Sequence, residues 1–409
     1  MAEFIYTTLF IINFLLGYNI KKENYLKAFV LLSFTLPFTN FTTPYHTIFQ
    51  VSVYLLFFVG AIVRIIPKLH YRKFIGQINT KSRNSFIAVF ALFILYLPLT
   101  IEHALIDVLI DLKPYVYIGL IVLFLNEYSE QIRERINTDF LQKCLQINCI
   151  VAVLFYAGMH FFDLHLLLID DPYYINNELR YTSLASYTIP LLFLGAITSS
   201  AKLRIDTAFY MLIPMLLTGN RTIILVCILL AIIYYFTKWN MKAKITAIFI
   251  SPIIISGCVF ALSFLSDNSS LSRFKKLLDT DYLTHAISTR LEPILSSFEN
   301  YEWWHYIIGN GFGHTYYIPW FEYRTHINNY NSYLDNIYAT LYGKFGVLLI
   351  VPIAFFVIHL QKYSSKETFR YLLFYFLLIG LTNSFMYQTY LPWFIFIMAI
   401  TLNTAKQRA

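Results

Sequence analysis

The chain has 409 residues, of which 58% are hydrophobic and only 13% are charged. Soluble proteins have about 25% charged residues, and the mean hydropathy here is +0.58, so the composition excludes an ordinary water-soluble enzyme. The net charge of +8 does not indicate a nucleic-acid partner, because the Lys and Arg residues form short clusters between apolar runs. We therefore predict an all-α, polytopic membrane protein.

Apolar runs along the chain predict about 12 to 13 transmembrane helices. They lie at 4–19, 25–40, 45–66, 84–101, 105–125, 141–162, 184–200, 205–218, 221–238, 244–265, 336–360, 369–386 and 388–402. The first run lacks a basic n-region and a cleavage site, so we expect a retained helix. Thiols in apolar runs behave as small core residues, which is the role we expect for Cys144, Cys149, Cys227 and Cys258.

The basic clusters predict the orientation of these helices. If the first helix enters from outside, every short basic loop falls on the cytoplasmic side, as the positive-inside rule requires. The chain then divides into helices 1 to 10 with short loops (1–265), one large outer loop (266–335), and C-terminal helices with a cytoplasmic tail (336–409). In a bacterium with two membranes, this loop faces the periplasm.

A few ionisable residues interrupt the predicted spans. Asp107 and Asp111 share one helical face, and Lys113 follows them. We interpret this stretch as an amphipathic or outer-end segment with solvated charges, in preference to a functional site. Lys113 and Lys344 are the two basic residues that fall inside predicted spans.

The tight turn Thr218–Thr222 leaves Arg221 at the outer boundary between two helices. A guanidinium there can simply reach out to the interface. It can also bind phosphate oxygens bidentately, and at the outer leaflet the natural anion is a lipid phosphate or diphosphate.

The outer loop contains an amphipathic pattern that starts at Arg290. Its apolar positions Leu291, Ile294, Leu295 and Phe298 recur at helical spacing, so we expect this helix to pack along the membrane surface. Trp303 and Trp304 suit an interfacial belt, and structural anchoring is their favoured role. The glycines of Gly309–Gly313 permit a sharp turn and do not form a nucleotide loop, because no Gly-Lys-Ser/Thr follows.

The segment His326–Tyr338 brings polar residues to the mouth of the next predicted helix. A titratable His and the carboxylate of Asp335 could accept a proton from a hydroxyl. Asp335 or Asn336 could equally be a helix N-cap, and the two roles are compatible.

The order of these motifs resembles the O-antigen polymerase and O-antigen ligase superfamily of bacterial surface-polysaccharide assembly. Members share about a dozen helices, a Thr-Gly-Ser-Arg-like turn, and one large periplasmic loop with an Arg, a Gly-x-Gly-x-Gly-like element and a His-Asn or Asp-Asn before a Gly-x-x-Gly helix. The matching residues here are Thr218 to Arg221, Arg290, Gly309 to Gly313, Asp335 to Tyr338, Gly343 and Gly346. Asn220 replaces the usual Ser, and Asp335 stands where the ligases carry His, which favours a polymerase.

The resemblance implies a C-type glycosyltransferase-like fold in the inner membrane and a metal-independent glycosyl transfer without cofactors. The substrate would be an oligosaccharide on undecaprenyl diphosphate within the membrane lipid, and a chain-length-regulating co-polymerase and a repeat-unit flippase would be partners. The implied catalytic residues are Arg221, Arg290, Asp335, His326 and His314. The implied substrate-binding residues are Asn220, Arg324, Asn336, Tyr338, Gly311 and Gly313.

Three alternatives remain open from the sequence. One is a membrane scaffold or chain-length regulator, although such a role does not require an Arg at a helix turn. A ligase would transfer the finished polymer to lipid A core sugar, and the sequence separates it poorly from a polymerase. A flippase or other transporter would have short loops on both sides and charged residues along a central path, so the outer loop argues against it.

Overall fold

The described part of the chain is mostly α-helical in the computed structural model. It covers residues 2–35, 55–65, 94–162, 188–198, 205–218, 220–242, 279–299, 301–319, 329–351, 366–387 and 391–408, with isolated helical positions between these segments. The helices are α1 (Ala2–Tyr18), α2 (Glu23–Thr35), α3 (Leu55–Ile65), α4 (Leu105–Arg135), α5 (Thr138–Phe162), α6 (Ile189–Thr198), α7 (Ile205–Leu217), α8 (Arg221–Lys238), α9 (Thr280–Glu299), α10 (Trp303–Ile308), α11 (Ile337–Phe345), α12 (Lys366–Gly380) and α13 (Leu391–Arg408). Strands β1 (Tyr316–Tyr317) and β2 (Tyr330–Asn331) pair antiparallel. The all-α prediction is confirmed for these residues.

Three of the helices are long and apolar enough to cross a membrane. The qualifying segments are Leu105–Leu125 in α4, Thr138–Gly158 in α5 and the whole of α8. A helix rises 1.5 Å per residue, so the 18 residues of α8 extend about 27 Å, close to the hydrocarbon thickness of a bilayer. Several shorter apolar helices accompany them.

Aromatic side chains fill the core between the N-terminal and C-terminal helices. Phe29 stacks on Phe57 with ring centroids 3.6 Å apart, and Trp393 of α13 packs edge-on against Phe29 at 5.7 Å. Helices α1 and α3 approach closely because Gly17 faces the backbone of α3 and Gly60 faces the backbone of α1. The core therefore joins elements from both ends of the sequence.

Two contacts bring basic clusters together at helix ends. Arg135, the last residue of α4, donates hydrogen bonds to the carbonyls of Ile20 and Lys21 in the turn after α1. Lys238, the last residue of α8, pairs with Glu367 of α12 at 2.9 Å. In both cases the joined segments are ones that the sequence predicts to be on the same side of the membrane.

Several helix boundaries differ from the predicted ones. The helix predicted at 105–125 continues to Arg135, because the polar residues after 125 keep good helix propensity. The helix predicted at 336–360 breaks at Gly346, whose φ of 54° starts a 3-10 turn over Gly346–Leu349. The helix predicted at 369–386 ends at Gly380. Most of 244–265 lies outside the described residues.

The expected role of the cysteines is confirmed where the structure describes them. Cys144, Cys149 and Cys227 are buried free thiols, and Cys258 lies outside the described residues.

Candidate functional site

The turn before α8 is built by capping interactions. Helix α7 ends at Leu217, and the side-chain oxygen of Asn220 accepts a hydrogen bond from the backbone N–H of Ile223 at 3.3 Å. The hydroxyl of Thr218 accepts from the backbone N–H of Asn220 at 3.1 Å. Asn220 is therefore the N-cap of α8, a role that Ser fills equally well, and it fixes Arg221 as the first residue of that helix.

The side chain of Arg221 joins α8 to α9. Its Nη2 donates to the hydroxyl of Tyr282 at 3.0 Å, and the guanidinium lies 5.2 Å from the Tyr282 ring centroid. Tyr282 is in the first turn of α9, the same helix that carries Arg290. The two arginines singled out in the sequence are thus connected through one helix, and Tyr282 and Arg290 are about 12 Å apart along its axis.

Arg290 faces Asp335 at the start of α11. Its Nε lies 4.0 Å from Asp335 Oδ2, and the two side chains are 45% and 47% exposed. Helix α9 is held here because Ile294 and Phe298 pack against a small buried cluster. That cluster consists of Tyr316, Ile318, Leu334 and Ala339. Two of the predicted catalytic residues therefore meet at a solvent-accessible ion pair.

Asn336 and Tyr338 use their polar groups to fix α11. The Asn336 side chain accepts from the N–H of Ala339 at 3.0 Å, so Asn336, and not Asp335, is the N-cap. The Tyr338 hydroxyl donates to the carbonyl of Leu377 in α12 at 2.9 Å. The sequence predicts that both residues bind substrate. In the structure, both stabilise the position of α11 next to Asp335.

The glycine-rich turn, Gly309–Gly313, packs on the other end of α11. The predicted sharp turn is confirmed, since Gly309, Gly311 and Gly313 have φ values of 69°, 82° and 90°. The backbone N–H of Gly311 donates to the carbonyl of Lys344 at 2.9 Å. A Cβ on Gly313 would lie 2.7 Å from the Cβ of His103. These glycines thus face neighbouring protein atoms, which explains why larger residues do not fit.

A buried ion pair holds this turn in place. Lys344 Nζ lies 2.5 Å from Asp111 Oδ2 and also donates to the carbonyl of His314 at 2.7 Å. The same Asp111 oxygen accepts from the backbone N–H of Gly313 at 2.6 Å. The side chains of Lys344 and Asp111 are 0% and 1% exposed. The interpretation of this stretch as solvated is wrong for Asp111, because the carboxylate is enclosed and paired.

Both charges are evident in the sequence, but their connection is not. The signal that could have found it is the presence of both acidic and basic residues inside predicted spans, since charges in the membrane interior pair with one another. The pair fastens α4, the glycine-rich turn and α11 to one another.

His314 belongs to this second group. Its Nε2 lies 3.3 Å from the Tyr301 hydroxyl, and its ring is 6.0 Å from that of His103. Burial lowers the pKa of His314 to about 3, and the charges of Lys344, His103 and His305 act in the same direction. The imidazole is therefore neutral at physiological pH.

The predicted site residues thus separate into two groups. Arg290, Asp335 and Asn336 lie at the N-terminal end of α11, and Arg221 is connected to this group through Tyr282 of α9. Gly311, Gly313 and His314 lie at the C-terminal end of α11, about 12 Å away along the helix. His326 and Arg324 lie outside the described residues. No cluster of three or more potential metal ligands occurs in the described part of the chain.

The chain belongs to the DUF6369 family, a family of unknown function, whose model matches residues 3–409. No curated protein matches the sequence.

Proposed function

We propose that this DUF6369 protein is an O-antigen polymerase, an integral membrane glycosyltransferase that joins undecaprenyl-diphosphate-linked oligosaccharides at the periplasmic face of the inner membrane. The observation that carries the proposal is the linkage of the two arginines. Arg221 begins a helix that is long enough to span a membrane and bonds to Tyr282 of α9, which also presents Arg290. Two guanidinium groups on one scaffold at a membrane boundary suit a lipid diphosphate.

The proposed membrane topology is a bundle of about 12 to 13 transmembrane helices. Support comes from the contacts at helix ends, because Arg135 bonds to the turn at 20–22 and Lys238 pairs with Glu367. All four segments are assigned to the cytoplasm by their basic residues. Arg221 is at the opposite end of α8 from Lys238, so the same assignment sends Arg221, α9 and Arg290 to the periplasmic side.

The arrangement suits displacement of a diphosphate leaving group. A hydroxyl oxygen of the acceptor sugar forms a bond to the anomeric carbon of the donor, and the bond from that carbon to the phosphate oxygen breaks. The diphosphate leaves with the electron pair, and Arg221, Arg290 and the N-terminal N–H groups of α8 offset its charge. Asp335, beside Arg290, is the described residue best situated to accept the hydroxyl proton.

The experiment is a gel of lipopolysaccharide from a deletion strain of the source bacterium, complemented with variants. We expect a single repeat unit on lipid A core in the deletion strain, and a full ladder with the wild-type gene. We expect Arg221→Lys and Arg290→Lys each to abolish most or all of the ladder, although both proteins still reach the membrane. The reason is that Lys cannot bind phosphate bidentately. Full-length polymer from both variants would contradict the proposed roles.

Arg64→Lys is the matched control. Arg64 also lies over a tyrosine ring at a helix end, 5.9 Å from the Tyr18 centroid, and donates to the Tyr18 carbonyl at 2.8 Å. Arg64 contacts the end of α1 next to the cytoplasmic turn at 20–22, whereas the proposed topology puts α9 on the periplasmic side, so we expect an unchanged ladder. Core without any repeat unit in the deletion strain would point to a ligase or a flippase, and an unchanged ladder there would overturn the proposal.

A further inference from the structure

The apolar side chains of α9 form two separate rows. The inner row, Ile294 and Phe298, packs against the small buried cluster described above. The outer row, Ile287, Leu291 and Leu295, is spaced by four residues and is 58%, 48% and 68% exposed. The single apolar face expected from the sequence is therefore divided, and only part of it contacts protein.

A polar row borders the outer row. Ser288, Glu292 and Ser296 each follow an outer-row residue by one position, a rotation of about 100° around the helix. Together with Leu291 and Leu295 they line a groove of about 700 Å³ along α9. The helix thus presents an aliphatic edge directly beside a polar edge, which is the division found in helices that lie in a membrane interface.

The position of α9 indicates what covers the outer row. Tyr282, near its beginning, bonds to Arg221, the first residue of a helix that can span a membrane, so this end of α9 is at a membrane boundary. Trp303 follows its other end and is 75% exposed, and tryptophan favours the level of the lipid headgroups. Both ends of α9 are therefore suited to the same depth, which is the surface of the bilayer.

We propose that the outer row of α9 inserts into the outer leaflet of the lipid bilayer and holds Arg290 at the depth of the phosphate groups. Arg290 directly precedes Leu291, so insertion of the row fixes the depth of the guanidinium. One part of this inference rests on the proposed function, namely that the ligand is a lipid diphosphate that reaches Arg290 by lateral diffusion in the bilayer. The contact between the row and lipid does not rest on the proposed function.

The test measures spin-label accessibility at single introduced cysteines in the full-length protein. Leu291→Cys and Leu295→Cys report the outer row, and Glu292→Cys and Ser296→Cys are the adjacent controls. The proteins are placed in nanodiscs of phosphatidylethanolamine and phosphatidylglycerol, and wild type is labelled in parallel to subtract any reaction of the native cysteines. Power saturation with oxygen detects lipid exposure, and a water-soluble nickel chelate detects water exposure.

We expect the outer-row labels to favour oxygen over the nickel chelate severalfold, and the polar-row labels to show the reverse. Equal nickel accessibility of both rows would mean that the outer row faces water and would overturn the proposal. Exclusion of both reagents from the outer row would mean that protein covers it, which would overturn the proposal as well. Each variant is first checked for a single gel-filtration peak. Because each row is tested at two exposed positions, the test does not depend on the folding of any one variant.

This result is independent of the lipopolysaccharide gel. A lipid-exposed outer row together with an unchanged ladder in the deletion strain would refute the proposed function and leave the membrane contact standing. A water-exposed outer row together with loss of the ladder in Arg290→Lys would refute the membrane contact and leave the enzyme.

Discussion

The two ends of α11 carry ion pairs that differ in almost every physical respect. At the C-terminal end, Lys344 and Asp111 are 2.5 Å apart and fully enclosed. At the N-terminal end, Arg290 and Asp335 are 4.0 Å apart and nearly half exposed. An enclosed pair has no water to replace a lost partner, whereas an exposed pair exchanges partners at little cost. The enclosed pair therefore holds the fold, whereas the exposed pair is accessible to solvent, as the anion binding that we propose for Arg290 requires.

The buried pair is also bonded to two backbone groups. Asp111 Oδ2 accepts from both Lys344 and the N–H of Gly313, and Lys344 donates to the carbonyl of His314. Removal of either charge therefore leaves the other charge and a backbone group unsatisfied. The same geometry makes the position of the glycine-rich turn dependent on the pair.

The largest expected effect comes from breaking the buried pair. We expect Lys344→Met to lower the free energy of unfolding by about 3 to 5 kcal/mol, because it leaves the Asp111 carboxylate enclosed without its partner. Arg290→Met, the matched change at the exposed pair, should cost less than about 1 kcal/mol. Thermal unfolding of the purified proteins in detergent, followed by gel filtration, compares the two.

The double variant Asp111→Leu with Lys344→Met separates charge from packing. Replacing both members of a buried pair by apolar residues is often neutral, but the Gly313 N–H and the His314 carbonyl still lose their partners, so we expect it to recover only part of the lost stability. If Lys344→Met were as stable as wild type, the comparison between the two pairs would fail.

The next effect concerns the turn that the buried pair holds. Gly309 has a φ of 69°, and a Cβ there would overlap the backbone of Lys344 and Phe345. We expect Gly309→Ala to destabilise the protein by about 2 kcal/mol or more. Gly119→Ala is the control, because it lies within helix α4 and its added Cβ would have no described atom within 4 Å, so we expect a gain of up to about 1 kcal/mol. Equal melting temperatures for the two variants would contradict the close contact.

A smaller effect is expected for the protonation of His314. Its pKa of about 3 lies below the ordinary value of 6.5, so the unfolded chain binds a proton more readily than the folded protein. The contribution of neutral His314 to the free energy of unfolding is fully present above pH 6.5 and is lost as the pH falls toward 3. Between pH 6.5 and pH 5 the loss is up to about 2 kcal/mol.

Substitution of His314 tests this dependence directly. We expect His314→Gln to flatten the fall in melting temperature over the same pH range. The titratable groups near the ring are Tyr301, Tyr316, His103, His305 and Lys344. His103→Gln is therefore the control for a neighbouring imidazole. An equally steep fall in His314→Gln and wild type would show that other groups cause the acid sensitivity.

Local patterns in the sequence predicted much of this arrangement. Helix α8 begins and ends where its apolar run does, and the glycine spacing predicted the turn at Gly309–Gly313. Periodicity could not predict the partnership of Asp111 with Lys344, because the residues are 233 positions apart and periodicity carries no information about long-range contacts. The one indication of the pair in the sequence is the tendency of charges inside membrane spans to pair with one another. The division of the apolar side of α9 was missed for the same reason, since burial of a row depends on what packs against it.

The smallest structural effect is expected at Asp335. Two adjacent residues could each have capped α11, and the structure assigns that role to Asn336. Asp335→Asn therefore removes the charge that faces Arg290 and leaves the N-cap in place, and we expect a change in stability of less than about 0.5 kcal/mol. Because stability stays constant, the lipopolysaccharide ladder of this variant reports the chemistry of the carboxylate alone.

Asp335→Asn then decides between two roles of the exposed pair. If Asp335 accepts the proton of the attacking hydroxyl, the variant loses the ladder although the protein is stable and reaches the membrane. If Asp335 only neutralises Arg290 until an anion binds, the ladder persists, because Asn leaves the guanidinium free for the diphosphate. Asp335→Glu serves as the control, since it keeps the charge and should retain at least part of the ladder under the first role.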